Sequence, residues 1–369
     1  MRSRSPYNRA PHTPPARHLH ASPTGLPLNP QNSGMTLSLP SAALKACGLV
    51  SLAVLSTASE ALAQGTFLQQ SNGVVAIQME SADPAGAWSL STSTPGFTGQ
   101  GYFRWDGPNF FSIPGNGIFG FDFEITTSGE HRVAIYNRHE DPDPTEENDT
   151  WVRMDGGAWV KAFSNNTVGA WTWETRNGSV SGPVRYNLTP GSHRLEFSGR
   201  SNGFKMDRVH IFPNGVSGEN ASLPESPRRF GDTYCNSVAN STGAVSSLEA
   251  IGSPVASQND VTLHGSSLPV GALGYMAVAR TQSFFANPGG STGNVCLGAN
   301  IGRYIGSVLT ADGSGQISMA LDLTAIPQPT GSQATLAGET WNFQFWHRDT
   351  APGGGATSNF SRGLEVNFQ

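Results

Sequence analysis

An all-β protein built from two β-sandwich domains is what this sequence predicts, and three observations predict it. Charged residues are only 13% of the chain, while 44 Gly and 25 Pro make almost a fifth of its 369 residues. Long helices need periodic runs of Ala, Leu, Glu, Lys and Arg, and such runs are nearly absent after residue 65. The apolar residues instead alternate with polar ones over short runs. Gly, Asn, Pro and Ser turns punctuate those runs at the spacing of sandwiches and jelly rolls. An apolar content of 37% is enough for packed cores.

The N-terminal stretch stands apart from this pattern. From Met35 the chain reads MTLSLPSAALKACGLVSLAVLSTASEALAQ. Lys45 gives a short positive region, and Ala46–Leu55 an apolar run too short to span a bilayer in the mature chain. Ala61-Leu62-Ala63 supplies a small-x-small cleavage site, with Gln64 as the new N-terminus. Residues 1–34, rich in Pro and Arg, read either as an unusually long n-region or as sequence upstream of a true start at Met35. Residues 1–63 are therefore expected to be presequence and signal peptide, and the mature protein to be exported with no membrane span. They hold five of the 22 basic residues (Arg2, Arg4, Arg9, Arg17, Lys45) and one of the 27 acidic ones, Glu60. The remainder has 17 basic and 26 acidic residues, a net charge of −9. Such a chain has few cations with which to release phosphate counterions, so nucleic acid is excluded as a partner. Cys47 leaves with the presequence. Cys235 and Cys296 remain, an even pair in an exported chain. A disulfide between them is expected, worth about 4 kcal/mol on the chain-entropy argument; two buried free thiols are the alternative.

Two blocks follow, 70–213 and 232–369, separated at 214–231 by an aperiodic stretch with several prolines that reads as a linker. In the first block, Val133 and Ile135 face one way and Arg132 and Tyr136 the other. Leu195 and Phe197 oppose Arg194 and Glu196, and Val209 shares a face with Ile211. Met154-Asp155-Gly156-Gly157 is a hairpin turn, since Asp-Gly accepts the positive φ of type I′. In the second block, Val261–Leu263, Tyr275–Ala279, Ile317–Leu323 and Trp341–Trp346 are strand candidates.

The chemistry-bearing residues lie mostly in the first block. On a strand, Gln78 and Glu80 share a face. Asp207 opens the last strand of the block, and pairing of first and last strands would bring the three together. Two carboxylates and an amide oxygen are hard ligands suited to calcium. Spacing alone equally allows a surface ion pair of Glu80 with Arg208 or Lys205. Glu140–Asp149 packs six acids and two prolines into ten residues, a solvated loop or, since Arg138 and Asn148 flank it, a second calcium site or the rim of a ligand site.

Together these features resemble the galactose-binding-like jelly rolls of the family 6 and family 35 carbohydrate-binding modules. The matching residues are Ile77-Gln78-Met79-Glu80, Gly99-Gln100-Gly101-Tyr102, Asn148-Asp149-Thr150-Trp151 leading into Met154-Asp155-Gly156, Trp171-Thr172-Trp173, and the closing Gly199-Arg200-Ser201-Asn202-Gly203-Phe204-Lys205-Met206-Asp207-Arg208. The resemblance covers almost all of 70–213. It implies a structural calcium on Gln78, Glu80 and Asp207, with a glutamine where a carboxylate often stands and so a less charged site. It also implies a sugar site in loops at one end of the jelly roll. Tyr102 or Trp105, Trp171 or Trp173, Arg138 and Asn202 are the residues positioned to supply it, because a ring platform matches the C–H face of a sugar and a few polar groups match its hydroxyls. One of Trp171 and Trp173 is expected in the core, the other facing ligand.

Two strings mimic catalytic motifs. Gly115–Gly120 matches GxGxxG but leads into a strand, whereas a dinucleotide site needs a helix N-terminus. Gly199–Gly203 matches GxSxG without the strand–turn–helix of a nucleophile elbow. His193 and His210 have no evident acid partner in the sequence. A glycosidase would need two carboxylates across a cleft, and the acids of the second block are scattered. Through Tyr234-Cys235, Gly298-Ala299-Asn300-Ile301-Gly302-Arg303-Tyr304, Gly338-Glu339-Thr340-Trp341-Asn342-Phe343-Gln344 and Trp346-His347-Arg348-Asp349, that block resembles a domain found at the C-termini of secreted proteins of environmental bacteria, a resemblance that carries no known activity. The expectation is a secreted, non-catalytic protein binding polysaccharide or glycan through a calcium-stabilised jelly roll. A cell-surface adhesive or structural protein, and a secreted glycosidase, are the alternatives.

Overall fold

The computed structural model describes residues 65–165 and 167–369. The expected presequence, the Met35 start and the Ala63 cleavage site lie outside the described residues. Among those described the only helical elements are three short 3-10 turns; all other regular structure is strand. The protein is all-β, and it forms two sandwiches.

In the first sandwich one sheet runs in the order Thr66–Leu68, Phe119–Ile125, Gly191–Ser198, Asp149–Met154, Val160–Phe163 and Arg176–Asn177. The facing sheet runs Arg185–Leu188, Gly129–Arg138, Lys205–Pro213, Tyr102–Trp105 and Trp88–Ser91, with Val75–Gln78 also paired to Lys205–Pro213. The alternation read from the sequence sets the faces. Val133, Ile135, Leu195, Phe197, Val209 and Ile211 are buried with Phe103, Trp105, Phe119, Phe121 and Phe123. Each such side chain contributes about 1.5–3 kcal/mol by leaving water. Asp155 and Gly156 both take positive φ, 51° and 67°, under a Gly157 N–H to Met154 C=O bond of 2.9 Å, as expected of Asp-Gly. The strands beyond it pair Val152 with Val160, so that turn sits in a wider connection, not a two-residue hairpin.

The second sandwich opposes strands Ser247–Gly252, Val261–Ser266 and Ile317–Ala320 to a sheet centred on Thr340–Thr350, flanked by Gly363–Asn367 and Leu273–Ala279. Met276, Val278, Trp341, Phe343, Phe345, Leu364 and Val366 fill the space between. Cys235 and Cys296 are joined in a disulfide with Cα atoms 6.2 Å apart.

The stretch 214–231 departs from the expected linker. Arg228–Phe230 is a strand that pairs on one side with Thr66–Phe67 and on the other with Ala250–Gly252. It completes a ten-stranded sheet running through both sandwiches. The prolines of this stretch end before the strand, which is why the segment reads as aperiodic yet closes a ladder.

Candidate ligand cleft and cation site

Strand Val75–Gln78 lies antiparallel to Lys205–Pro213 with Gln78 opposite Arg208, the pairing of first and last strands that the sequence argument required. The chain then leaves the strand: Glu80 sits in the 3-10 turn Met79–Ser81, not on a strand face beside Gln78. Asp207 also owes its position to an irregularity. The ladder to Gly129–Arg138 shifts register between Met206 and Arg208, a bulge, at the point where the other edge of Lys205–Pro213 changes partner from Tyr102–Trp105 to Val75–Gln78. Bulges re-aim side chains, and this one turns Asp207 toward the gap between those two strands.

Thr98, a residue with no sequence signature, joins the group. Its N–H lies 3.1 and 3.0 Å from the two Asp207 oxygens, and its Oγ1 is 2.8 Å from Asp207 Oδ2 and 3.0 Å from Gln78 Oε1. One hydroxyl proton cannot serve both acceptors. Glu80 Oε1 accepts the Gln100 N–H at 2.6 Å, while Glu80 Oε2 is buried without a partner. Gly99, at φ +65°, lets the loop pass so close that any Cβ there would overlap the Glu80 carboxylate. Burial pushes Glu80 up to about 7, against the pull of the Gln100 N–H, with the charges of Asp207 and Glu225 adding to the rise. Burial likewise pushes Asp207 up to about 6, against the Thr98 hydrogen bonds and Arg208. The ion pairs of Glu80 that spacing allowed do not form. Arg208 donates to the Ala221 and Leu223 carbonyls at 2.5 and 2.8 Å, and Lys205 turns toward Glu140 at 3.8 Å. No group of three or more His, Cys, Asp or Glu able to hold a metal occurs among the described residues; here Asp207 meets the Thr98 hydroxyl, which also reaches the Gln78 amide oxygen, and Glu80 lies on the adjoining turn.

The second feature is an aromatic wall on the outer face of the same sheet. Thr172 and Asn137 exchange backbone hydrogen bonds of 2.8 Å, stitching the 171–173 segment beside strand Gly129–Arg138. Residues two apart in extended chain share a face, so both tryptophans, and not one of them, meet Tyr136. Trp171 stacks on it with centroids 5.5 Å apart and Trp173 packs at 5.0 Å. Both are half-buried, and neither lies in the central core. Trp171 also abuts Tyr102 edge-on at 5.3 Å and donates from Nε1 to the Pro95 carbonyl at 3.0 Å. Gly96, at φ +101°, sits against its ring where a Cβ would lie 2.7 Å from Cδ1. Beside this wall, Lys205 pairs in register with both Arg104 and Arg138. Arg138 Nε binds Glu140 Oε1 at 2.7 Å. Burial holds the Lys205 ammonium below its ordinary value although Glu140 and Glu147 pull it back up. Burial alone would raise the Tyr102 phenol, but hydrogen bonds with Ser91, Ser93 and Thr94 and the charge of Lys205 bring it below its ordinary range.

Tyr102, Trp171 and Arg138 thus come together, with Glu140 from the acidic loop offered as a rim, and with Tyr136 and Lys205 as residues that sequence reasoning did not assign to the site. Tyr102 is itself buried, so it backs the wall and leaves the half-open surface to Trp171. Trp105 does not join them: it is 2% exposed, packed on Trp88, and donates from Nε1 to Pro108. Its phase in the strand, alternate to Tyr102, sends it into the core. Asn202 is exposed, but its amide is engaged by the Gly107 carbonyl at 2.8 Å and its N–H by Asn109 at 2.7 Å, at the 106–109 loop. The acidic loop is built in at its C-terminal end, where Asp149 is buried under Arg200, Ser201 and Lys161, and exposed at Glu140, Asp143 and Glu146.

His193 does have an acid partner, contrary to expectation: Nδ1 lies 2.8 Å from Asp155 Oδ2. Its Nε2 is 2.7 Å from the Thr189 carbonyl, so both ring nitrogens are engaged. Ser201 of the GxSxG string is buried against Asp149, and Lys205–Pro213, a strand, follows it.

No protein-family model and no curated protein matches the chain. Among solved structures, the crystal structure of a Podospora anserina GH26-CBM35 β-(1,4)-mannanase is similar over 45% of this chain at 18% identity, with a TM-score of 0.29. The match spans 30% of that protein, and at this score it carries no weight in the reading that follows.

Proposed function

We propose that this is an exported carbohydrate-binding protein without catalytic machinery, which recognises a polysaccharide or glycan on the wall of Trp171, Tyr136 and Trp173. The observation that carries this reading is the pair of half-buried tryptophans laid on Tyr136 beside the Arg138–Glu140 pair and Lys205. An apolar ring surface edged by fixed donors and acceptors suits a pyranose, which offers C–H groups on its face and hydroxyls at its rim. Export, with cleavage after Ala63, rests on the apolar run and the small residues before Gln64.

Calcium is the second part of the reading. Gln78, Glu80 and Asp207 would hold it, with the Thr98 hydroxyl beside them. The support is the partnerless Glu80 Oε2 and the crowding of Gln78 Oε1, Thr98 Oγ1 and Asp207 Oδ2 around a single proton. A hard cation would supply charge compensation for two buried carboxylates and nothing chemical beyond that.

Affinity electrophoresis of the mature chain through gels carrying different polysaccharides tests the first part. Retardation on at least one polysaccharide is expected, with loss of about 1–3 kcal/mol of affinity in Trp171→Ala. Failure of the wild type to be retarded by any polysaccharide overturns the sugar reading. For calcium, saturation at a hundredfold excess over Kd should stabilise the fold by about 2.7 kcal/mol. A melting midpoint unmoved by a chelator removes calcium from the account.

A further inference from the structure

One loop touches both the aromatic wall and the Gln78–Asp207 cluster. Residues 92–101 join the adjacent strands Trp88–Ser91 and Tyr102–Trp105, whose ends pair at Ser91 and Tyr102. A surface connection of that length is ordinarily mobile, so what ties this one down sets what it can do. Its first half grips the wall. Thr94 Oγ1 accepts the Tyr102 hydroxyl at 2.9 Å, the Pro95 carbonyl accepts the Trp171 Nε1–H at 3.0 Å, and the Phe97 ring lies 5.8 Å from that of Tyr102. The Gly96 backbone passes against the same indole, where a Cβ would lie 2.7 Å from Cδ1 and 3.2 Å from Nε1. The second half grips the strands beneath. The Thr98 and Gln100 N–H groups go to Asp207 and Glu80, and the Thr98 hydroxyl lies 2.8 Å from Asp207 Oδ2 and 3.0 Å from Gln78 Oε1.

Trp171 needs such a hold. Its segment joins the sheet through the Asn137–Thr172 bridge, which fixes the backbone but leaves the side-chain torsions to be settled by contacts. The rings of Tyr136 and Tyr102 confine the indole, and the loop closes on the edge that carries Nε1. A platform ring left free to turn has to be ordered when ligand arrives, which weakens binding by about three- to tenfold. Resting on the sugar reading of the wall, we propose that Thr98 is a positioning residue for the ligand. It latches the loop to Gln78 and Asp207, and the latched loop fixes the Trp171 indole in the orientation that the ligand meets.

Indole N–H exchange followed by NMR, with affinity electrophoresis of the same variants of the mature chain, tests the latch. The chain has eight tryptophans, and the Trp171 indole signal is the one lost in Trp171→Phe. Thr98→Val keeps the backbone N–H and removes the hydroxyl. In this variant the Trp171 Nε1–H should exchange with solvent about tenfold faster. Retardation by a polysaccharide that the wild type binds should weaken about three- to tenfold. The Trp105 Nε1–H, donated to the Pro108 carbonyl, should exchange as in the wild type. Thr98→Ser, which keeps a hydroxyl, should show wild-type values of both. Gly96→Ala, which pushes the loop off the indole from its other end, should reproduce both losses. Unchanged exchange at Trp171 in Thr98→Val overturns the latch whatever the gels show. Faster exchange at Trp105 as well makes Thr98 a general support of the fold and rejects the proposal. Faster exchange at Trp171 with undiminished retardation rejects it too. A wild type retarded by no polysaccharide overturns the sugar reading and the role toward ligand with it, while the exchange rates still decide whether the loop holds the ring.

Discussion

The two sandwiches spend their buried polar groups differently. In the second, they are mostly neutral and tied off. The Gln344 amide donates to Asn294 and Ser361 and accepts the Cys296 N–H, and Asn240 bridges Ser246 and Ser267. These bonds pin strands and the disulfide-bearing hairpin, and leave little for a ligand to do. In the first, the buried groups are charged and incompletely compensated: Glu80 and Asp207 pushed up, Lys205 pushed down, a carboxylate oxygen with no partner. Burying charge is expensive unless it is paired, so a fold keeps such groups where something else binds. The proposed reading accordingly puts recognition in the first sandwich and scaffold in the second.

The largest expected effect asks whether the two regions are separable at all. Trp105 and Trp341 are each almost fully buried, one in each core. Replacing either by Ala should cost about 3–5 kcal/mol. Because one sheet runs through both cores, a single melting transition should fall in both variants. Two resolved transitions, with only one displaced by each substitution, would show the sandwiches to be independent and weaken the division of labour through a common frame.

One buried histidine gives the first sandwich a contribution to stability that acid removes. His210 lies fully buried under Trp173, ring centroids 4.5 Å apart, with Nδ1 2.6 Å from the Gly218 carbonyl and Nε2 unpartnered. Burial pushes its pKa down from 6.5 to about 4, with Arg208 adding to the fall and the Gly218 bond opposing it. Below pH 6.5 the unfolded chain takes up a proton that the folded chain refuses. This contribution is therefore complete above pH 6.5 and shrinks as pH falls toward 4, by about 3 kcal/mol in all. His210→Gln should flatten that part of the stability profile measured by denaturant titration. A wild-type profile as steep in the variant would place the acid sensitivity elsewhere.

How much of this was legible in the sequence depended on whether a residue's place follows from local period or from where strands happen to meet. Val133, Ile135, Leu195 and Phe197 follow period two, and their faces were readable. So was the disulfide, from the two cysteines left once the expected presequence is set aside. Trp105 was misread as a ligand candidate although its alternation with Tyr102 already pointed one of the two inward. Thr98 and Glu225 could not be found: each acts across more than 100 residues, on Asp207 and Gln78 respectively, and neither sits in a pattern. Asp207 was reached from the expected pairing of first and last strands as well as from resemblance, but the bulge that aims it has no local signal. The strand Arg228–Phe230 is three residues long, too short for alternation to mark.

The smallest expected effect is the sharpest check on the comparison, because it is a predicted indifference. Tyr275 and Trp346 lie side by side on adjacent strands of the second sandwich, centroids 4.9 Å apart, both half-buried and outside its core. By ring chemistry alone this pair resembles the Trp171–Tyr136 pair. What it lacks is the setting: among the described residues no ion pair stands beside it in the way Arg138–Glu140 and Lys205 stand beside Trp171. A sugar held only by a ring face gains area but no orientation, since its hydroxyls find no fixed partners. Trp346→Ala should therefore change retardation in polysaccharide gels by less than about twofold, under 0.5 kcal/mol, while Trp171→Ala abolishes most of it. Asn202→Ala should fall between them, because its amide holds the 106–109 loop and not the wall. Loss of retardation in Trp346→Ala equal to that in Trp171→Ala would make the second sandwich a binder in its own right, and charge compensation would no longer be what separates the two.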